Sequence, residues 1–559
     1  MSFPTSDKTQ DADFSTRSFL VVDDFQGMRT MLRDILRNCG ANTKNIVTAA
    51  SGSEAVSQLA STPFDVVLCD YNLGKGKNGQ QVLEEAKVRQ LIGPACAWIV
   101  VTAEKTADVV SGAAEYQPDA YLLKPITEAM LRQRLARIWA KKEAFAEIDR
   151  AVRQGDLATA IERCDQRLRT DKANATDLLR TKCDLLLSAG DLVRAKQAFE
   201  AILAQRDVPW AKAGLARVLL QNGEHEAARS ALEETLAVNA TYLEAHDLMA
   251  RTLQAMGDIA GAGAAIERAV RISPNSVTRQ KSLGEVALRL GQPEAAEKAF
   301  RRSVTLGEHS ILKTADAYLG LAKACAANGS PDEALRVLGQ IDQTFDDETV
   351  RTHALAVEGM VHQQTGNSGK AREIASKLAA ELGRQTADGG GQGDTRCTLD
   401  AARLLLAAGA RDDAIALLQG EIRNSPDNQA LLGEVRDIFS AAEMSDEGAE
   451  LIESSRQDAI EQMNRGVLLV REGRHDEAIA AMRAARAAMP KNVRVLFNLT
   501  QVIVAKLQHD GGSADPALVA EARDSLAAAN TLSPGETRHA TLKAALDALA
   551  GQALARTTR

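Results

Sequence analysis

Ten alanines at one fixed offset limit what this chain can fold into. Gly155, Gly190, Gly223, Gly257, Gly291, Gly329, Gly366, Gly409 and Gly473 recur at intervals of roughly 33 to 43 residues, and the one longer gap spans a further copy with its turn read at Met444. The fifth residue after these ten turns is always alanine: Ala160, Ala195, Ala228, Ala262, Ala296, Ala334, Ala371, Ala414, Ala449 and Ala478. Seventeen residues after three of the glycines stand Pro274, Pro426 and Pro490. A period of a few tens of residues means stacked supersecondary units. Glycine accepts the turn after a first helix, alanine lets a second helix pack closely on it, and proline stops the second helix. From Lys141 to about Pro534 the chain is therefore predicted to be helix-turn-helix units, with Ala522 and Pro534 marking a candidate eleventh.

The first quarter follows a different rule. Short apolar runs at Phe19 to Val22, Asp65 to Cys69, Trp98 to Val101 and Tyr121 to Leu123 read as strands. Helical stretches follow at Gly27 to Asn38, Ser53 to Leu59, Gly79 to Arg89, Ala107 to Glu115 and from Glu128. This alternation predicts a doubly wound (βα)5 α/β domain on a parallel sheet, whose site lies at the carboxyl ends of the strands. Those ends carry Asp23, Asp24, Asp70, Thr102 and Lys124. Three carboxylates brought together repel one another, which argues for a hard divalent cation, Mg2+, among oxygen ligands. One carboxylate then serves as a nucleophile toward phosphorus, with the Lys124 ammonium and the Thr102 hydroxyl stabilising the phosphoryl oxygens.

The segments FLVVDDF (19–25), VVLCDYN (66–72), IVVTAE (99–104) and YLLKP (121–125) resemble the receiver domain of two-component response regulators, chemotaxis type, over roughly Arg17 to Ala140. The resemblance implies that Asp70 is the phosphoacceptor and that Asp23, Asp24, Asp70 and the carbonyl of Asn72 bind Mg2+. It also implies that Thr102 and Lys124 hold the phosphoryl group, that Tyr121 is the aromatic switch, and that the Lys124–Pro125 peptide is cis. Asn72 and Glu104 stand where the family sets phosphoryl lifetime, which implies decay in seconds to minutes. The loop Gly74-Lys75-Gly76-Lys77-Asn78-Gly79 departs from the family pattern: it is one residue longer, lacks the usual proline and is expected to be more flexible. The glycine and alanine offsets of the later chain are similar to those of the tetratricopeptide repeat, with most of its aromatic positions taken by Leu and Ala.

These readings give residues 1–16 as a disordered tail, 17–140 as the receiver and 141–559 as an all-α solenoid. A flexible glycine-rich loop near 387–394 divides the solenoid into candidate halves at 141–383 and 396–559. From Ile126 to Gln154 there is no glycine or proline, so the last receiver helix is expected to run into the first repeat helix. Its apolar stripe, Leu131, Leu135, Ile138, Phe145, Ile148 and Val152, fits packing on its own two domains and is also compatible with a homodimer seam.

The 67 basic residues against 75 acidic ones, with no long basic run, argue against nucleic-acid binding. Seven cysteines without a CxxC pair suit a reducing cytoplasm and no structural zinc. No apolar run reaches the roughly 20 residues of a membrane span. The predicted function is a phosphorylation-controlled adaptor and not an enzyme in its own right. A histidine kinase or phosphotransfer protein phosphorylates Asp70, and a protein or peptide ligand occupies the repeat groove. The alternatives are a constitutive scaffold with a silent receiver and, in a different class, a transcriptional regulator.

Overall fold

The computed structural model describes residues 14–103, 117–387, 394–510, 515–533 and 536–557. Its N-terminal part holds strands β1 (Phe19–Val22), β2 (Ile46–Ala49), β3 (Val66–Asp70), β4 (Ala97–Thr102) and β5 (Ala120–Leu123). They form one parallel sheet in the order β2-β1-β3-β4-β5. The helices described here are α1 (Gln26–Asn38), α2 (Gly52–Ser61), α3 (Gly79–Val88) and α4 (Glu128–Lys142). The expected helix at Ala107 to Glu115 lies outside the described residues.

Alternate side chains of a strand point to opposite faces, so strands buried on both sides feed two cores. Phe19, Val21, Leu68, Ile99 and Val101 meet Leu32 and Leu36 of α1 and Leu131 and Leu135 of α4. Leu20, Val22, Val67, Trp98 and Val100 meet Val56 and Leu59 of α2 and Val82 and Leu83 of α3. β2 is not among the four apolar runs because it is an edge strand, and its Val47 and Thr48 are only half-buried. Phe14, placed in the tail by sequence, is 3% exposed and packs edge-on against Phe19 at 6.4 Å.

The expected single helix from Ile126 to Gln154 is broken. After α4 comes a 3-10 turn at Glu143–Phe145, then a new helix at Ala146–Arg153. The break lets one stripe serve two cores: Leu131, Leu135 and Ile138 fill the sheet domain, while Phe145 and Ile148 fill the first repeats. These stripe residues are buried within the chain.

Beyond Arg153 the described residues are successive helices joined mostly by short turns, except that the helix Ser445–Arg471 runs for 27 residues through the expected boundary between two copies. All nine repeat glycines have φ between 67 and 87°, the left-handed region that a side chain disfavours. Nine of the ten repeat alanines are fully buried, as is Ala522 of the candidate eleventh copy. Pro274, Pro426 and Pro490 each follow by two residues the helices ending at Ile272, Asn424 and Ala488.

The copy without a turn glycine corrects the sequence reading by one residue. Its left-handed residue is Glu443 (φ 59°), not Met444, and Ala449 is exposed. The small residue five beyond Glu443 is Gly448, where an added Cβ would lie 2.6 Å from Phe439 Cβ. Gly448→Ala is therefore expected to cost about 1–3 kcal/mol by overpacking. Gly433, inside the helix Gln429–Ala441 with open space at its Cβ position, should gain about 0.5–1 kcal/mol on substitution by alanine. Opposite shifts of thermal midpoint test the pair, and equal shifts would refute the corrected register.

The chain divides into two compact units. One comprises Met1–Ala250, Gly263–Glu285 and Lys298–Ala317, and the other Arg251–Ala262, Val286–Glu297 and Tyr318–Arg559. Residues 388–393 of the expected glycine-rich loop near 387–394 lie outside those described. Among the described residues no helix is long and apolar enough to cross a membrane, and all seven cysteines are free and buried.

Candidate functional site

β1, β3, β4 and β5 end side by side, and the residues at or just after their ends converge. The register pairs Val22 with Cys69, Asp70 with Val101, and Thr102 with Leu123. This places Asp23, Asp70, Thr102 and Lys124 along one edge of the sheet. The Lys124 N–H donates to the Thr102 carbonyl at 2.8 Å, and the Lys124–Pro125 peptide is cis.

Ligand oxygens of Asp23, Asp24 and Asp70 all lie within 4.8 Å of one another. The Lys124 ammonium donates to Asp70 Oδ2 at 2.6 Å and to Asp23 Oδ2 at 2.9 Å. Asp23 and Asp70 are buried, whereas Asp24 faces solvent. Burial pushes the Asp70 carboxyl above the ordinary range; the Lys124 hydrogen bond and charge oppose this, and the Asp23 charge adds to it. Burial works against the Lys124 charge as well, but its hydrogen bonds to Asp70 and Asp23 prevail and hold its pKa above the ordinary lysine value. The result is a basic carboxylate with a fixed cation against it, open on the Asp24 side.

Asn72 is exposed, and its N–H donates to Asp70 Oδ1 at 3.4 Å. Thr102 is 1% exposed. Tyr121 is half-buried against the α2 and α3 core, and burial first, with Tyr71 second, pushes its phenol to about 12. Glu104 lies outside the described residues. Sequence reasoning did not assign two groups that hold Asp23: Arg29, which donates to its carbonyl at 2.6 Å, and the Phe25 N–H, which donates to Oδ1 at 2.9 Å. The position of Arg29 in the first turn of α1, four residues after Phe25, was the available signal.

The β3–α3 loop is anchored at both ends. A Cβ on Gly79 would lie 2.0 Å from the Asp70 carbonyl oxygen, so only glycine lets α3 start this close to the acid. Gly74 and Gly76 have φ of 68 and 98°, and Lys77 pairs with Glu85 at 2.7 Å. The loop's own lysine thus reaches onto α3.

A family model described as a response regulator receiver domain matches residues 19–136. Tetratricopeptide repeat models match 186–252, 248–311, 281–340 and 449–499. Chemotaxis protein CheY-3 of Vibrio cholerae is 30% identical over 122 residues, 22% of this chain and 91% of that protein. Chemotaxis protein CheY of Pseudomonas aeruginosa is also 30% identical over 122 residues, 22% of this chain and 95% of that protein. A solved tetratricopeptide repeat protein from Parabacteroides merdae covers 48% of this chain and 99% of its own, at 15% identity and a TM-score of 0.33.

Proposed function

Because the chain belongs to the response regulator family and carries tetratricopeptide repeats behind its receiver domain, we propose that it is a phosphorylation-controlled adaptor whose repeats bind a protein partner. We take the receiver as residues 17–140 and the repeat array as 141–559. The observation that carries this reading is the Lys124 ammonium held between Asp70 and Asp23 beside the open Asp24 carboxylate.

In the proposed reaction a carboxylate oxygen of Asp70 attacks the phosphorus of a phosphohistidine on a histidine kinase or phosphotransfer protein. The P–N bond breaks, its electron pair stays on the imidazole, and an acyl phosphate forms on Asp70. Lys124 turns from the carboxylate to the phosphoryl oxygens and stabilises their charge, and the Thr102 hydroxyl donates to another of them. The donor set fits Mg2+, a hard cation that takes oxygen ligands: Asp23, Asp24 and Asp70 with the Asn72 carbonyl would hold it, and it would neutralise phosphoryl charge. Water later hydrolyses the acyl phosphate. Tyr121 acts as the switch by following Thr102, and the cytoplasm is the compartment of the reaction.

The test is incubation with acetyl phosphate, with Mg2+ or with excess chelator, followed by separation of phosphorylated protein on a phosphate-affinity gel. A Mg2+-dependent band that chelation reduces at least about 100-fold is expected. Partner capture on the full chain with and without donor then reads the adaptor function. A receiver that takes up no phosphate with any donor would leave the constitutive scaffold as the reading.

A further inference from the structure

We propose that the turn Leu306–Lys313 is a clasp on receiver helix α3, closed in the unmodified chain and released when Asp70 carries a phosphoryl group. The proposal rests on Asp70 being the phosphoacceptor. It concerns a surface of the receiver and the partner it fits, a segment of the same chain more than 200 residues later.

The contact is polar and specific, and its Ser310–Glu84 part is buried. Gln81 Nε2 donates to the Leu306 carbonyl at 3.1 Å, Lys77 Nζ donates to the His309 carbonyl at 3.2 Å, and the Ser310 hydroxyl donates to the Glu84 carboxylate. Glu84 is 3% exposed and Ser310 7%. A carboxylate taken this far from water needs donors, so Ser310 contributes to a contact that cannot open without rehydrating an acid. The turn is shaped for it: the Ser310 N–H donates to the Gly307 carbonyl at 3.1 Å, and the Ser310 hydroxyl accepts from the Leu312 N–H at 2.9 Å.

The same residues that grip the repeats also set the start of α3 beside the acid. Gln81 closes a capping box with Asn78, its side chain accepting from the Asn78 N–H at 3.0 Å and its N–H donating back at 2.9 Å. Its amide nitrogen is what reaches Leu306. Two residues earlier, Gly79 donates to the Tyr71 carbonyl at 2.8 Å and lies against the Asp70 backbone. At the other end of the loop, a Cβ on Gly74 would stand 3.0 Å from Asp24 Oδ2. The loop from Tyr71 to Asn78 thus lies over the acid cluster at one end and holds the repeat turn at the other.

The direction of coupling follows from charge. A phosphoryl group adds about 1.5 to 2 negative charges and three strong acceptor oxygens. Lys77 is shared between the Glu85 carboxylate at 2.7 Å and the His309 carbonyl at 3.2 Å, and the neutral carbonyl is the weaker partner, so it is the one given up when phosphoryl charge draws on the ammonium. The glycine-flanked loop is drawn inward, Lys77 leaves His309, and the Gln81 and Glu84 contacts strain. The loop that follows α3 is held separately, because the Ala95 N–H donates to Asp149 Oδ1 at 3.2 Å and Lys142 binds the Pro94 carbonyl at 3.0 Å and Asp119 at 2.9 Å. Opening is therefore confined to the 306–313 side.

Coupling of this kind is reciprocal: if phosphorylation opens the clasp, a weakened clasp must favour phosphorylation. The experiment uses the full chain, its Ser310→Ala variant and its Glu84→Gln variant, with acetyl phosphate and Mg2+. It reads phosphorylation on a phosphate-affinity gel and amide hydrogen exchange over residues 307–316. The wild type should exchange about 10-fold faster there when phosphorylated, and both variants should exchange fast without donor and reach a several-fold higher phosphorylated fraction. Phosphorylated wild type with unchanged exchange, and variants with unchanged phosphorylation, would overturn the clasp while leaving the receiver function standing. If none of the three proteins took up phosphate, the functional reading itself would fall, and the coupling with it.

Discussion

Asp70→Asn is expected to take up no phosphoryl group from acetyl phosphate or from a phosphohistidine donor, a loss of at least about 1,000-fold. The amide keeps the shape of the carboxylate and still accepts from Lys124, but its neutral oxygen does not displace an imidazole from phosphorus. One of three converging charges also disappears, so the demand for a cation weakens. The fold should not suffer. Burial already makes the ionised Asp70 unfavourable, since its carboxyl is held above the ordinary range. A folded-state pKa above the unfolded one means that ionisation costs stability once pH rises past the unfolded value, so at pH 7 the uncharged amide should leave the thermal midpoint at or above that of the wild type. Substantial phosphorylation of the variant, by mass spectrometry of the intact chain, would remove Asp70 from the proposed role.

What the sequence disclosed, and what it hid, divides along physical lines. Features fixed by local chemistry were visible: a strand end in Asp, a glycine at a left-handed turn and a proline two residues past a helix each act within a few residues. The register of the copy near 444 was hidden because Glu443 adopts a conformation usually left to glycine, while Gly448 replaces the packed alanine. The break at Glu143–Phe145 was hidden because no glycine or proline marks it; it arises where Phe145 turns into the first repeats. Strand β2 was hidden because an edge strand needs apolar residues on fewer sides. Of the receiver's cluster, Asp23, Asp24, Asp70, Thr102 and Lys124 were all legible, since each lies at or just after a strand end. The link from Glu84 to Ser310 was not, because nothing in either local sequence refers to the other.

The second large effect lies in the repeats, at Asp400. This residue of the helix Thr395–Ala408 is 1% exposed. It accepts from His353 Nε2 at 2.7 Å, from Arg403 at 2.9 Å and from Lys323. Lys323, His353 and Asp400 sit on three alternate helices, Ala315–Ala327, Glu348–Gln364 and Thr395–Ala408, the first helices of successive repeats. One carboxylate thus ties the helix that follows residues 388–393 to the two repeats before it. Burial alone would raise its pKa, but the Lys323 charge, the His353 hydrogen bond and the Arg403 charge outweigh burial and hold it far below the usual carboxylate range. Removing the acid leaves cations facing one another without their counter-charge, so Asp400→Ala should cost about 3–5 kcal/mol at pH 7. The sign in acid is set by the depressed pKa: the stabilisation is full above the unfolded value near 4 and is lost as pH falls toward the folded one. Denaturant unfolding of the two proteins should therefore show a gap that is wide at pH 7 and narrows below about pH 4. Hydrogen exchange in residues 395–408 should accelerate in the variant before it does so elsewhere in the repeats. A gap under about 1 kcal/mol that is constant with pH would mean that these charges are solvated and that apolar packing alone holds the helix after the glycine-rich stretch.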